Sequence, residues 1–313
     1  MYIPSIAYSV KGMLGRERGG RRVNQSSSQC LRARLCRAPT LVMPDAFDPF
    51  SAKLIQQAGF EAVQCSGKSM AAAMGYADEN CLSYSENLEL TRKIVNAISV
   101  PVMADGEDGF GNAAKLAQTV REFIHVGAAG LNLEDGVLNA WDTPRAIIPV
   151  ERMVEKIRLA RKIAIAAGNS DFVINARTDA LASASDKEHG LFEAIERSNC
   201  ALAAGADLAF VTGVASLDQA RQLRDNIKGP VSIAAGLPYN AQAFTVADLS
   251  NLGLARVSLP LLLILGATQG MMGALDALKP KGDMAAMQNA GLLASFPDFA
   301  EALRGGEGGS HAN

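Results

Sequence analysis

The 313-residue chain sets 30 lysines and arginines against 32 aspartates and glutamates, a formal net charge of -2. Near-neutrality and an aromatic content of 5% argue against a basic, base-stacking nucleic-acid surface, and the longest apolar run, Leu259 to Ala267, falls far short of the roughly 20 residues that span a bilayer. Cys30, Cys36, Cys65, Cys81 and Cys200 follow no paired metal spacing, and their odd number suits reduced thiols in a cytoplasmic protein better than a disulfide framework.

Residues 1–38 form a basic leader, with Arg16, Arg18, Arg21, Arg22, Arg32, Arg34 and Arg37 against Glu17 alone, plus a polar run from Asn24 to Gln29. Its composition reads as disordered; a transit peptide to an organelle and a start codon assigned too early are the alternatives. A short helix over Gln29–Arg37 is expected to cover one end of the fold. From Thr40, short apolar runs alternate with longer amphipathic ones. The predicted strands are Leu41–Met43, Ala62–Cys65, Val100–Ala104, Gly130–Leu133, Phe172–Ala176, Leu208–Val211, Val231–Ala234 and Ala255–Leu259. Most are too continuously apolar to have a wet face, as parallel strands buried on both sides are. Between them lie predicted helices at Pro49–Ala58, Ser85–Ala97, Ala113–His125, Pro149–Ala167, Leu191–Ala204 and Leu217–Asn226. Gly59, Gly127, Gly168 and Gly205 stand where left-handed C-terminal caps belong. Eight strand–helix units over about 220 residues predict a closed (β/α)₈ barrel rather than an open doubly wound sheet. The expected catalytic domain is 39–304. Its C-terminal part is read as a helix through Leu278, a turn at Pro280–Gly282 and a helix from Met284 to Leu303, before a disordered tail at 305–313.

An α/β barrel does its chemistry at the C-terminal ends of its strands. The second strand runs into Ser66-Gly67, the third into Asp105-Gly106-Glu107-Asp108-Gly109-Phe110-Gly111-Asn112, the fourth into Glu134-Asp135-Gly136 and the fifth into Arg177-Thr178-Asp179. Converging carboxylates without histidine or cysteine suit a hard cation, magnesium or in its place manganese. Arg177 offers a planar two-pronged donor for a substrate carboxylate. The amides at Ser66-Gly67, between a strand and a following helix, resemble an anion nest. Each part has a plainer reading: Asp108 as a turn former, Asp135 as a turn cap or a residue orienting Glu134, and Arg177 as a structural ion-pair partner of Asp179 or Glu134. Residues 62–69, Ala-Val-Gln-Cys-Ser-Gly-Lys-Ser, imitate a P-loop but place Ala62 where the stricter pattern demands glycine. His125, His189 and His311 are read as surface or capping residues. Cys65 is read as a buried strand thiol, and Cys81 lies in a loop near the active face.

These motifs resemble the isocitrate lyase and phosphoenolpyruvate mutase superfamily over about residues 38–275. The likeness is carried by Asp48 with Ser51-Ala52, Ala58-Gly59-Phe60, Ser66-Gly67, Gly75, Asp78, Val100 through Asn112, Leu133-Glu134-Asp135 and Asn175 through Ala180. It implies direct magnesium binding by Asp105, with Glu107, Glu134 and Asp78 acting through waters. Ser66, Gly67 and Arg177 would grip the carboxylate and oxo groups of a small substrate, and Arg177, Ser66 and Asp78 would form the catalytic set. Lys68 either meets a second substrate anion or points to solvent. The resemblance also implies a homo-oligomer, dimeric or tetrameric, that exchanges the eighth helix. Relatives that cleave isocitrate or methylisocitrate carry a Lys-Lys-Cys-Gly-His or Lys-Arg-Cys-Gly-His loop. Here Gly136 through Arg145 contains no cysteine, lysine or histidine, which leaves the proton donor unassigned. The expected function is a magnesium-dependent lyase, decarboxylase or hydrolase cleaving a C–C bond of a 2-oxo or 2-hydroxy acid. The alternatives are phosphorus–carbon chemistry of the mutase or phosphonopyruvate hydrolase type and, in another class, an inactive barrel serving as a binding protein.

Overall fold

The computed structural model describes residues 26–137, 146–237 and 240–304. Eight parallel strands close into a barrel in sequence order, β1 pairing with β8. They are β1 (Leu41–Ala46), β2 (Val63–Cys65), β3 (Val102–Asp105) and β4 (Gly130–Glu134), then β5 (Val173–Thr178), β6 (Leu208–Val211), β7 (Val231–Ala234) and β8 (Arg256–Leu259). The helices before and around the first half are α1 (Ser27–Leu35), α2 (Pro49–Gln57), α3 (Gly67–Ala73), α4 (Tyr84–Ala97), α5 (Ala113–His125) and α6 (Val150–Ala166). The second half carries α7 (Ala180–Ser183), α8 (Lys187–Ala203), α9 (Leu217–Asn226) and α10 (Val246–Asn251), and the chain goes on through α11 (Leu262–Lys281), α12 (Met284–Asn289) and α13 (Phe296–Arg304). Every predicted strand, and every helix predicted between strands, is present within a few residues of its expected bounds, and the closed barrel is the architecture expected from the repeat.

Local chemistry explains the boundaries. Asp48 and Ser83 start α2 and α4 with capping boxes, each side chain accepting the N–H three residues on. Gly59, Gly127, Gly168 and Gly205 all adopt positive φ after their helices, the left-handed cap that glycine adopts without a Cβ penalty. The first strand was predicted only to Met43, and the proline that follows has no N–H to give to the ladder. Yet pairing continues through Pro44 opposite Leu259 and Asp45 opposite Gln64. Two C-terminal expectations are corrected. Helix α11 continues past Leu278 to Lys281 and stops at Gly282, φ 62. The single closing helix is instead α12 and α13, separated where Gly291 turns left-handed at φ 72.

The last dozen residues of the expected leader are structured, and the remainder of it, like the tail at 305–313, lies outside the described residues. Ser26 and Gln29 form a capping box at the head of α1. Leu31 and Leu35 pack with Leu41, Met43, Ala62, Met103, Ala129, Val173 and Leu208, plugging the N-terminal end of the barrel. Arg34 fixes the helix by donating to Glu61 at 2.9 Å and to the Pro39 carbonyl at 2.6 Å. The short helix anticipated at Gln29–Arg37 is thus present.

Above this plug the barrel interior turns polar. Arg256 is fully buried. Its Nη2 donates to Gln64 Oε1 at 2.8 Å, its Nη1 to Ser232 Oγ at 3.0 Å, and its Nε faces Met43 Sδ at 3.2 Å. The β8-to-β2 contact skips over β1, so these side chains lie inside the barrel. Asn175 Nδ2 donates to Asn132 Oδ1 at 2.6 Å between β5 and β4. A barrel interior is ordinarily filled with branched aliphatic layers; this one carries hydrogen-bonded amides and a guanidinium beneath the strand ends.

Candidate active site

At the C-terminal strand ends, Asp105, Glu107 and Glu134 gather above the polar floor. Asp105 closes β3, and its Oδ2 accepts the Gly67 N–H at 2.8 Å. Its backbone carbonyl accepts from Asn87 Nδ2 at 3.2 Å. Two residues on, Glu107 adopts left-handed backbone, φ 46, which costs a non-glycine residue about 1–3 kcal/mol. That turn sends its carbonyl to the Glu134 N–H at 2.9 Å, tying the ends of β3 and β4 together. A Cβ at Gly67 would collide with the Glu107 carboxylate, so glycine there leaves room for an acid. The amide expected to line an anion nest is thereby committed to a protein carboxylate.

On the opposite side Arg177 is held at both ends. Its Nη1 meets Glu134 Oε2 at 2.7 Å, while Nε and Nη2 form a fork on Asp179 at 2.8 and 3.0 Å. Both plainer partners considered for Arg177 are therefore engaged at once. These contacts use three of the five guanidinium N–H groups, and the side chain stays 22% exposed. Asp179 is fixed in turn by Thr212 Oγ at 2.7 Å. Asp135 does not point into the acid group: its carboxylate accepts Thr178 Oγ at 2.7 Å and the Asp179 N–H at 2.9 Å, orienting the residue that orients Arg177.

Burial dominates the electrostatics. It pushes Glu134 up to about 8 although Arg177 draws it down, with Asp179 and Asp105 adding repulsion. Glu107 lies well above the usual carboxylate range, first through burial and then through Asp105 and Glu134. Asp105 is raised by burial against the opposing pull of the Gly67 amide and Arg177. Crowded, desolvated carboxylates of this kind become ionised together only when a cation neutralises them.

Other predicted residues fall differently. Ser66 caps α3, its Oγ accepting the Ser69 N–H at 3.3 Å, and Lys68 sits half-buried at the second position of that helix. Asp78 is engaged locally, accepting the Asn80 N–H at 2.8 Å at the head of the turn Glu79–Cys81. Asp108 accepts the Phe110 N–H at 2.8 Å, the turn-forming role anticipated for it. Cys65 is buried and its thiol is pushed up to about 12, mainly by burial. Two residues escaped the sequence reading. Asp45, at the end of β1, is buried and held well above the carboxylate range by burial, with Arg256 pulling it down and Asp105 pushing it up. Arg256 itself is lowered to about 10 by burial, against the pull of Asp45 and Asp105. Inward alternation Leu41, Met43, Asp45 would have exposed the first, and a lone charge in the apolar run Ala255–Leu259 the second.

A divalent ion fits this donor set in one manner. Among the described residues no three acidic, histidine or cysteine side chains stand together in direct ligand geometry, because Asp105 is drawn to the Gly67 amide and Glu134 to Arg177. Few direct carboxylates, with the rest reaching through water, is how magnesium is usually held. All the candidate ligands carry oxygen.

Residues 31–279 match the family model described as phosphoenolpyruvate phosphomutase. The chain belongs to that family. Within the superfamily of phosphoenolpyruvate mutases and isocitrate lyases, the chain is 32% identical over 273 residues to 2,3-dimethylmalate lyase of Eubacterium barkeri, covering 86% of this chain and 91% of that one. It is 34% identical over 242 residues to 2-methylisocitrate lyase of Escherichia coli (strain K12), covering 75% and 79%. Among solved structures, phosphonopyruvate hydrolase in complex with oxalate and Mg++ superposes with a TM-score of 0.79 at 28% identity, over 90% of this chain and 96% of that chain. The resemblance drawn from the motifs therefore holds, and so does the reading of the chain as an enzyme with carbon–carbon lyases among its relatives. The imitation P-loop at 62–69 runs from the start of β2 into α3 of a closed barrel and carries no separate meaning.

Proposed function

We propose that the protein is a magnesium-dependent lyase that breaks a C–C bond beside the 2-oxo or 2-hydroxy group of a small carboxylic acid. The observation that carries this reading is the buried acid group at the ends of β3 and β4 facing a guanidinium held between Glu134 and Asp179. Asp105 would hold the ion directly, and Glu107 and Glu134 through water. When bound, the ion would supply Lewis-acid neutralisation of charge on a substrate oxygen. The N–H groups of Arg177 not used by Glu134 and Asp179 receive the substrate carboxylate, and the Ser66 hydroxyl donates to the same group. Asp179 and Asp135 keep the fork of Arg177 from turning, so the substrate is oriented before the bond breaks. In a 2-hydroxy acid the hydroxyl gives its proton to water as its oxygen becomes the carbonyl of one fragment, and a 2-oxo acid first adds water to reach the same state. The electron pair of the broken C–C bond rests on the other fragment as an enolate until a proton arrives. With no cysteine, lysine or histidine in 136–145, a water delivers that proton. Residues 138–145 lie outside the described residues.

The identities to 2,3-dimethylmalate and 2-methylisocitrate lyases support C–C chemistry, and the likeness to phosphonopyruvate hydrolase supports P–C cleavage as the second reading. Oxaloacetate, methylisocitrate, dimethylmalate and phosphonopyruvate, each incubated with the full chain and magnesium, separate the two. Two carbon fragments from one of the first three establish the lyase. Inorganic phosphate from the fourth establishes the alternative, and no product from any contradicts both.

The C-terminal helices support a homo-oligomer. Leu262, Leu265, Met271, Met272, Leu275 and Leu278 of α11 are all exposed, a patch too apolar for a monomer's surface. Exchange of this helix between two copies would cover it. Sedimentation should show a dimer or tetramer, and a monomer at micromolar concentration would contradict this assignment.

A further inference from the structure

Behind the acid group lies a second line of contacts running outward to the helical layer. Asp135 is completely buried, and besides Thr178 and Asp179 it has a third donor, Arg197 Nη1 at 3.2 Å. Arg197 belongs to α8, on the outer face of the barrel, and its side chain is only 11% exposed. The same Nη1 donates to the Ile148 carbonyl at 2.8 Å, and Nε donates to Glu193 Oε1, one turn earlier on α8, at 2.8 Å. Ile148 and Asp135 are the two roots of the connection between β4 and α6. Their backbones are already paired, Ile148 N–H to the Asp135 carbonyl at 2.9 Å and Val137 N–H to the Ala146 carbonyl at 2.7 Å, with Gly136 bridging Ile147. Arg197 thus grips the stem of this connection from outside at both strands.

We infer that Arg197 is a positioning residue: by clamping the β4–α6 stem and bracing Asp135, it holds Asp179 and hence Arg177 in the orientation that receives the substrate carboxylate. The inference rests on the reading of Arg177 given above. The chain of contacts is continuous. Arg197 meets Asp135, Asp135 accepts the Asp179 N–H, Asp179 forks Arg177, and Arg177 meets Glu134. An arginine suits the task because one planar group satisfies a carboxylate, a carbonyl and a helix neighbour in fixed directions; a lysine offers a compact charge without the fork. Outer partners of this kind fix the direction of the groups that touch the ligand without touching it themselves.

A groove of about 430 Å³ opens on this arginine from the surface, lined also by Val150, Asn199, Cys200 and Lys228. A small guanidinium compound can therefore approach Arg197's position from solvent. In the full chain, Arg197→Ala and Arg197→Lys are compared with the unsubstituted protein by calorimetric titration of oxalate in magnesium, of magnesium alone, and by thermal melting. Arg197→Ala should bind oxalate roughly tenfold more weakly while its affinity for magnesium alone changes less than about twofold. Added methylguanidinium should restore oxalate binding, and Arg197→Lys should fall between the two. Oxalate affinity equal to that of the unsubstituted protein would overturn the inference, as would an equal loss for magnesium alone or a loss that methylguanidinium does not reverse. Should Arg197→Ala fail to fold, Arg197→Lys decides, and an unchanged oxalate affinity there overturns it. Failure of the unsubstituted protein to bind oxalate overturns the reading of Arg177 first and this inference with it.

Discussion

The lower end of the barrel is closed by α1, whose Leu31 and Leu35 pack on Leu41, Met43, Ala62, Met103, Ala129, Val173 and Leu208. At the upper end the same strands deliver Asp45, Asp105, Glu107 and Glu134 against Arg177 and Arg256. The lower end gains stability from apolar contact that nothing opposes. The upper end accumulates buried like charges and a left-handed Glu107, both of which a structure made only for stability would avoid. Between them Gln64 accepts from Arg256 and Asn175 donates to Asn132, so the upper charges stand over buried amides instead of a hydrocarbon floor. Apolar packing and buried charge are thus divided along one axis of the barrel.

The division is tested most severely at Asp105. Asp105→Ala should abolish magnesium-dependent oxalate binding and turnover without lowering the melting temperature, since it removes a buried charge from a crowded group; residual ion-dependent turnover would contradict its role. Leu31→Ala is the converse. It should cost about 2–5 kcal/mol by opening a cavity in the plug, measured by urea unfolding, while oxalate affinity in magnesium stays unchanged. Arg177→Lys keeps the charge and loses the fork, so oxalate should bind roughly tenfold more weakly, about 1.4 kcal/mol; equal binding would show that charge alone suffices.

A separate test concerns pH. Burial lifts Glu134 from 4.5 to about 8 and Glu107 in the same direction, so without a cation the folded chain holds more protons than the unfolded chain across that interval. Stability of the metal-free protein should therefore fall as pH rises from 4.5 to about 8. Magnesium should flatten the trend and release protons on binding at neutral pH. Melting curves in chelator and in magnesium check this, and a metal-free melting temperature that climbs over the interval would contradict it.

How much of this was legible in the sequence follows from the same division. The barrel could be read because the strands are short and apolar and several helices close on a glycine, signals that lie within a few residues of one another. Asp105, Glu107, Glu134 and Arg177 could be read because they follow strands directly, where a barrel places its chemistry. Contacts between distant segments were not legible. That Gly67 spends its amide on Asp105, and that Asp135 faces Asp179 instead of the acid group, depend on side-chain directions which no local pattern encodes. Asp45 was missed because the first strand was predicted only to Met43, two residues short of it, and Arg256 because the lone charge in the apolar run Ala255–Leu259 was not followed into the barrel interior. The break at Gly291 was missed because a single glycine within an otherwise helical pattern is often tolerated.

The central claim is that the acid group and Arg177 bind a divalent cation and a carboxylate together. Titrating oxalate, a planar dicarboxylate, into the full chain with magnesium and again with chelator tests it most directly. Heat of binding should appear with the ion and vanish without it. Binding of equal strength in chelator, or none in magnesium, would contradict the account.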